Sequence, residues 1–258
     1  MTDQPLRKYL RHLLAFATPL DFYCDQAKVP GEILHVGAHT GEENEHYKEL
    51  GIRSALWVEA QPDIYLQLIK NVEQKRALNA AVWSTEIEMK FNVSDNSVSS
   101  SLLKLESDHP WGGLTFSDDY KLTTVTLDSV LDHFKNLGFL RAKFFLLLDV
   151  QGAEFEIISG WQGNRNQIEA ISCEVSRKKG YVGAAKRWRI VIKLMRYGYV
   201  PVASFLDTET KHGDQLFVKL SIALKHRRIL FQAFIRYLLF VGVKLQKLLN
   251  EFLKKVGI

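Results

Sequence analysis

Ile33-Leu34-His35-Val36-Gly37-Ala38-His39-Thr40-Gly41 is a short apolar run cut off by two glycines, with a polar, Glu-rich segment (41–50) behind it. That is the order of a buried strand, a tight turn and a helix. A glycine at the end of such a strand lets a ligand approach the backbone closely. The spacing is Gly-x-x-x-Gly, not the Gly-x-Gly-x-x-Gly that cradles a pyrophosphate. The turn therefore predicts a cofactor without one, although an ordinary strand-to-helix turn carries the same pattern.

Support comes from the next strand. Ser54 to Val58 is apolar and ends in Glu59 and Ala60, and Glu59 lies 22 positions after Gly37. An acid at about this distance accepts hydrogen bonds from ribose hydroxyls in dinucleotide-binding folds. The two features in this order predict a nucleoside-type cofactor, with Glu59 on its ribose. A third strand, Ala77 to Trp83, ends where an adenine would lie, so Asn79 or a neighbouring backbone group is expected to read its edge. The most apolar strand is Phe144 to Leu148, expected at the centre of the sheet. It delivers Asp149 to the carboxyl edge, where open α/β sheets bind ligands. Gln151, Gly152 and Glu154 follow in the turn and the first helical turn, and an acid there is also favoured by the helix dipole alone.

Around these strands the chain alternates regularly. Helices are expected at Asp63 to Val72 (with Asp63 as the cap), Leu127 to Asn136, Ala153 to Ser159 and Ala184 to Tyr197. Ile168 to Glu174 reads as a strand. Tyr199 to Ser204 and Gln215 to Leu220 read as an antiparallel pair. Glu86 to Val93 is an added strand, and Ser94 to Tyr120 a long loop of the kind that often carries function. Strand–helix alternation with short connections predicts a mostly parallel sheet covered on both faces.

Composition sets limits. The 258 residues are 47% hydrophobic and 24% charged, which is globular usage. Cys24 and Cys173 are far apart and in no metal-like spacing, which favours a reducing compartment over disulfides or zinc. The apolar run Leu13 to Ala17 is too short for the core of a signal peptide. From Lys219 onward nine Lys or Arg face one acid, Glu251, whereas the rest of the chain is slightly acidic. The basic charge belongs to the tail, so a nucleic-acid reading of the whole protein misplaces it. Tyr237 to Val243 is the tail's unbroken apolar stretch, short of the roughly 20 residues that cross a bilayer. An interfacial amphipathic helix fits better. Self-association and a helix capping the body are the alternatives.

The chain resembles the FkbM family of methyltransferases. The resemblance rests on His35 to Glu43, Leu56 to Asp63, Leu78 to Trp83, Ser97 to Leu103 (SVSSSLL), Thr124 to Leu131, Leu146 to Gly160 (LLLDVQGAEFEIISG) and Ser172 to Ser176, in the family's order. It implies the class I methyltransferase Rossmann-like α/β fold with a seven-stranded sheet. The expected organisation is a helical lead-in (1–32), a methyltransferase domain (33–220) and a basic amphipathic helical tail (221–258). The family often has Lys-Ile-Asp-Val-Glu-Gly-Ala-Glu where this chain has Leu147 to Glu154, so Gln151 stands in place of a Glu and cannot act as a base.

The resemblance implies S-adenosyl-L-methionine as donor and, most often, O-methylation of a sugar, glycolipid or natural product. The expected cofactor contacts are His35, Gly37, Ala38, His39, Gly41, Glu59, Ala60, Asn79, Ala80 and Asp149. A hydroxyl needs a base during attack. Asp149 and Glu154 rank first and His109, in the long loop, next, ahead of His39, Glu174 and His212. Ser101, Gln151 and Glu174 are expected to bind the acceptor. No metal site and no nucleic-acid partner are expected, and the protein is placed in the cytoplasm, with the tail on the inner face of the membrane. The rival readings are a nicotinamide-dependent oxidoreductase and a non-catalytic cofactor-binding module docked to membrane or to a glycan-synthesis partner.

Overall fold

The structure, a computed structural model, describes residues 18–106, 116–163, 165–176, 180–206 and 212–235. Its strands are β1 (Glu32–Val36), β2 (Ser54–Glu59), β3 (Ala77–Asn79), β4 (Ala81–Trp83), β5 (Glu88–Ser94), β6 (Phe116–Thr126), β7 (Phe144–Leu148), β8 (Ile168–Ser176), β9 (Tyr199–Leu206) and β10 (His212–Lys219). The helices are α1 (Pro19–Gln26), α2 (Asn44–Glu49), α3 (Pro62–Asn71), α4 (Leu127–Asn136), α5 (Glu154–Gly160), α6 (Arg187–Arg196) and α7 (Leu220–Lys225). The main sheet has seven strands in the order β3-β2-β1-β7-β8-β10-β9. All pairs are parallel except those of β10, which runs antiparallel to β8 and β9.

The apolar strands are split by their period of two between two cores. Leu34, Val36, Leu56, Val58, Phe144, Leu146 and Leu148 face one side and pack with α4, α5 and α6. Ile33, Trp57 and Phe145 face the other and pack with α1, Tyr47 of α2 and Leu68 of α3. Four of the five residues of β7 are fully buried, and each such side chain contributes roughly 1.5–3 kcal/mol. That is why this strand is central.

Several expectations change in detail. The third strand divides at Ala80: β3 stays in the main sheet, and β4 joins a small sheet of order β4-β6-β5. The added strand is present as β5, but its partner β6 begins at Phe116, inside the expected loop, and pairs with β5 along its length. Asp63 is not the cap of α3. Pro62 takes the first helical position and Gln61 the cap, with no side-chain hydrogen bond. The start of the tail does not stand apart from the body. Ile222, Ala223 and Ile229 are buried in the same core as Leu20, Phe22 and Tyr23 of the lead-in. Among the described residues no helix is long and apolar enough to cross a membrane.

Candidate functional site

Strand register assembles the site. Val36 pairs with Val58 on one side and Leu148 on the other, and Leu148 pairs with Cys173. The next residues, Gly37, Glu59, Asp149 and Glu174, therefore lie side by side at the carboxyl edge of the sheet. Asp214 faces Glu174 across the antiparallel β8–β10 pair. The strand order reverses between β1 and β7, the switch point where such sheets bind ligands.

A cavity of about 280 Å³ opens above this edge, just below the roughly 300–1,000 Å³ usual for small-molecule sites. Gly37, Ala38, His39, Glu59, Ala60, Ala80 and Asp149 line it, as expected of cofactor contacts. Ser101 and Gln151 also line it, and the Ser101 hydroxyl donates to the Gln151 carbonyl at 2.8 Å. Glu59 is nearly buried, and its carboxylate accepts the backbone N–H of His39 at 2.9 Å and of Gln61 at 2.7 Å. Burial pushes its pKa up, and these backbone donors oppose the rise. A carboxylate has about four acceptor positions, so two remain for the hydroxyls of a ribose.

The side chain of His39 bridges two parts of the rim. Its Nδ1 lies 2.8 Å from Glu42 Oε1, and its Nε2 lies 2.8 Å from the Ser97 hydroxyl. His39 and Ser97 both have φ in the left-handed region, +45° and +55°. Strain of this kind persists where the surroundings impose it, often at binding sites.

Asp149 is solvent-accessible through the cavity, with its carboxyl group set among other acids. Desolvation raises its pKa well above the usual carboxylate range, and Glu174 and Asp214 raise it further. Asp214 itself is pushed up to about 6 by burial and by Glu174.

Other expected site residues lie elsewhere. His35 is a core residue: its ring packs on Trp57, its Nδ1 lies 3.1 Å from the Tyr47 hydroxyl, and burial pushes its pKa down to about 4. Asn79 does not line the cavity, because its side-chain amide donates to the carbonyls of Glu59 and Ala60 at 2.8 and 3.2 Å. Gly41 is a packing residue, since a Cβ there would lie 2.8 Å from Leu68 Cδ1. Glu154 is buried beneath the turn after β7, where its Oε1 accepts the N–H of Val150 and of Gly152, each at 3.2 Å. With Glu174 it borders a separate cavity of about 30 Å³. His109 lies outside the described residues, and so does the side chain of His212.

Sequence reasoning missed Glu42, Glu43, Ser97 and Tyr181. The first three sit inside the quoted motifs, but spacing alone does not say which residues of a motif turn inward. Tyr181 lies on the connection between β8 and α6, and nothing local marks it.

The lining fits S-adenosylmethionine. Glu42, Glu43, Glu59 and Asp149 face the cavity and, among the described residues, no Lys or Arg does, a lining suited to a sulfonium and an ammonium rather than to a pyrophosphate.

Residues 35–201 match the model of the methyltransferase FkbM domain. No curated protein matches the chain. Among solved structures the chain is similar, at 11% identity, to a proposed RNA methyltransferase from Pyrococcus horikoshii, with 78% of this chain and 81% of that one covered and a TM-score of 0.39. It is also similar, at 11% identity, to a SAM-dependent methyltransferase from Aquifex aeolicus, with 84% and 98% covered and a TM-score of 0.37. The match spans well over half of the residues and includes both the glycine turn and Asp149, which sets aside the oxidoreductase reading: the chain belongs to the FkbM family of methyltransferases, and S-adenosylmethionine is its methyl donor.

Proposed function

We propose that the protein methylates a hydroxyl of a sugar, glycolipid or natural-product acceptor, with Asp149 as the base. The observation that carries this reading is Asp149 itself, a carboxylate at the switch point, open to the cavity and with its proton affinity raised. A base works best when its pKa is near the working pH. The donor supplies a methyl carbon already activated by a sulfonium. Gly37, Ala38 and Glu59 would hold that donor, and Asp149 would take the proton from the acceptor hydroxyl as the oxygen gains the methyl group and the sulfur leaves as a neutral thioether with the electrons of the broken methyl–sulfur bond. Phe91, Val98 and Leu102 line the cavity with apolar surface that keeps water from the reacting atoms. Glu154 is the weaker choice of base, since it is buried and engaged by two backbone donors.

The test is transfer of labelled methyl to a panel of neutral glycosides and glycolipids by the wild type and by Asp149→Asn. Transfer to a hydroxyl, lost in the variant, supports the reading. Transfer to nitrogen or carbon only, or full activity of the variant, contradicts it.

A peripheral membrane role for the tail has its own support. Leu224, Phe231 and Phe234 are exposed beside exposed Lys225, Arg227 and Arg228, while Ile222 and Ile229 anchor the same segment to the body. Apolar and basic residues together are what an anionic bilayer surface attracts. Arg227→Glu with Arg228→Glu is expected to weaken binding to anionic vesicles, and unchanged binding rejects the idea.

A further inference from the structure

The turn after β7 is held in a conformation that its residue types do not favour by themselves. Gln151 has φ +53°, and Gly152 follows at +98°. A non-glycine residue in the left-handed region costs on the order of 1–2 kcal/mol. Three contacts impose the turn. The Ser101 hydroxyl donates to the Gln151 carbonyl, buried Glu154 accepts the Gly152 N–H, and Tyr181 lies against Gly152, where a Cβ would be 3.1 Å from the tyrosine Cβ.

The side chain of Gln151 thereby lies between two partners. Its Nε2 donates to Asp149 Oδ1 at 2.7 Å, and its Oε1 accepts from the Tyr181 hydroxyl at 2.9 Å. The Tyr181 hydroxyl is also 3.1 Å from the Ser99 carbonyl, which ties it to the loop over the cavity. Asp149 Oδ2 takes no hydrogen bond among the described residues. We infer that Gln151 is a positioning residue, anchored by Tyr181, that fixes the Asp149 carboxyl group through Oδ1 and leaves Oδ2 to meet the acceptor.

The chemistry of the amide makes the choice of residue specific. An amide donates and accepts at once, so it satisfies a carboxylate on one side and a phenol on the other. An ionised Glu in its place has no donor. It would set a second negative charge against a carboxylate that already faces Glu43 before α2, Glu154 of α5, Glu174 of β8 and Asp214 of β10. The other titratable neighbours, Tyr47 and Tyr181, are phenols that burial keeps protonated. Two close carboxylates do not both ionise near neutral pH. Leu removes the donor and leaves the carboxylate unheld.

The inference rests on Asp149 as the base, but its test does not need methyl transfer. Carbon-13 NMR of the full chain, labelled at Asp carboxyl carbons, follows the titration of Asp149, with its signal identified by loss in Asp149→Asn. Gln151→Leu and Gln151→Glu are expected to move the midpoint upward by about 1 pH unit or more, Glu the further. Tyr181→Phe, which removes one hydroxyl and keeps the ring on Gly152, is expected to give a smaller shift of the same sign. If the Gln151 variants do not fold, Tyr181→Phe decides alone. An unmoved midpoint in the folded variants overturns the inference. The expected shifts in an enzyme that methylates no hydroxyl support the coupling and count against the proposed reaction alone.

Discussion

The carbonyl oxygen of Asp149 lies 1.7 Å from the point where a side chain on Gly37 would begin. The two strand ends that build the site thus close on each other through a contact only glycine permits, and Gly37 also needs its φ of +86°.

Gly37→Ala is therefore expected to cost about 3 kcal/mol or more, since backbone rather than a movable side chain is in the way. Chemical denaturation measures it, and a cost below about 1 kcal/mol would show that the two turns separate easily.

Asp149→Asn is expected to stabilise the protein while stopping methyl transfer. The folded-state pKa of Asp149 is raised, so its ionisation opposes folding. The stability it contributes is fully present below the unfolded pKa of about 3.9 and is lost as pH rises through the folded value. Asp149 is exposed to the cavity, so solvent screens most of the effect. At pH 8 the variant is expected to melt at most on the order of 2–4 °C higher, the change that about 1 kcal/mol makes in a domain of this size. Near pH 3 the difference should vanish. A variant that melts lower at pH 8 would contradict the assignment.

The same sign sets the pH dependence of turnover. A base must be deprotonated, so the rate is expected to rise with pH through a midpoint well above the ordinary carboxylate range near 4. A rate already flat from pH 5 upward would exclude Asp149 as the base.

Glu154→Gln is expected to keep both fold and activity, because burial already favours the neutral form and an amide oxygen accepts the same two N–H groups. Glu154→Ala leaves those groups without that partner, at a cost of about 1–3 kcal/mol. Calorimetric melting of the two variants separates them. Loss of transfer in a stable Glu154→Gln would return Glu154 to the chemistry.

His39→Ala removes the bridge from Glu42 to Ser97 while leaving the backbone N–H on Glu59. Donor affinity is expected to fall about tenfold, the equivalent of one charge-assisted hydrogen bond. Equal affinity would show that the Ser97 loop does not depend on this contact.

The sheet was legible because its strands are apolar runs buried on both faces, and because glycine or an acid ends them at Gly37, Glu59 and Asp149. Those residues also gave the core of the site. What the sequence hid depends on direction. His35 and His39 are four residues apart, yet one ring goes into the core and the other to the rim. Asn79 sits at the expected strand end, but its amide turns back to β2. Tyr181 reaches Gln151 across 30 residues of chain, a contact no local pattern encodes. The start of the tail looked separable because its charge differs from the body, yet Ile222 and Ile229 seal one of the two cores.

The most direct measurement is calorimetric titration of S-adenosylmethionine into the wild type and into Glu59→Ala. Binding by the wild type that weakens at least tenfold in a folded Glu59→Ala is the predicted result, because Glu59 would hold the ribose. No binding by the wild type, or equal binding by both, would contradict the placement of the donor in this cavity.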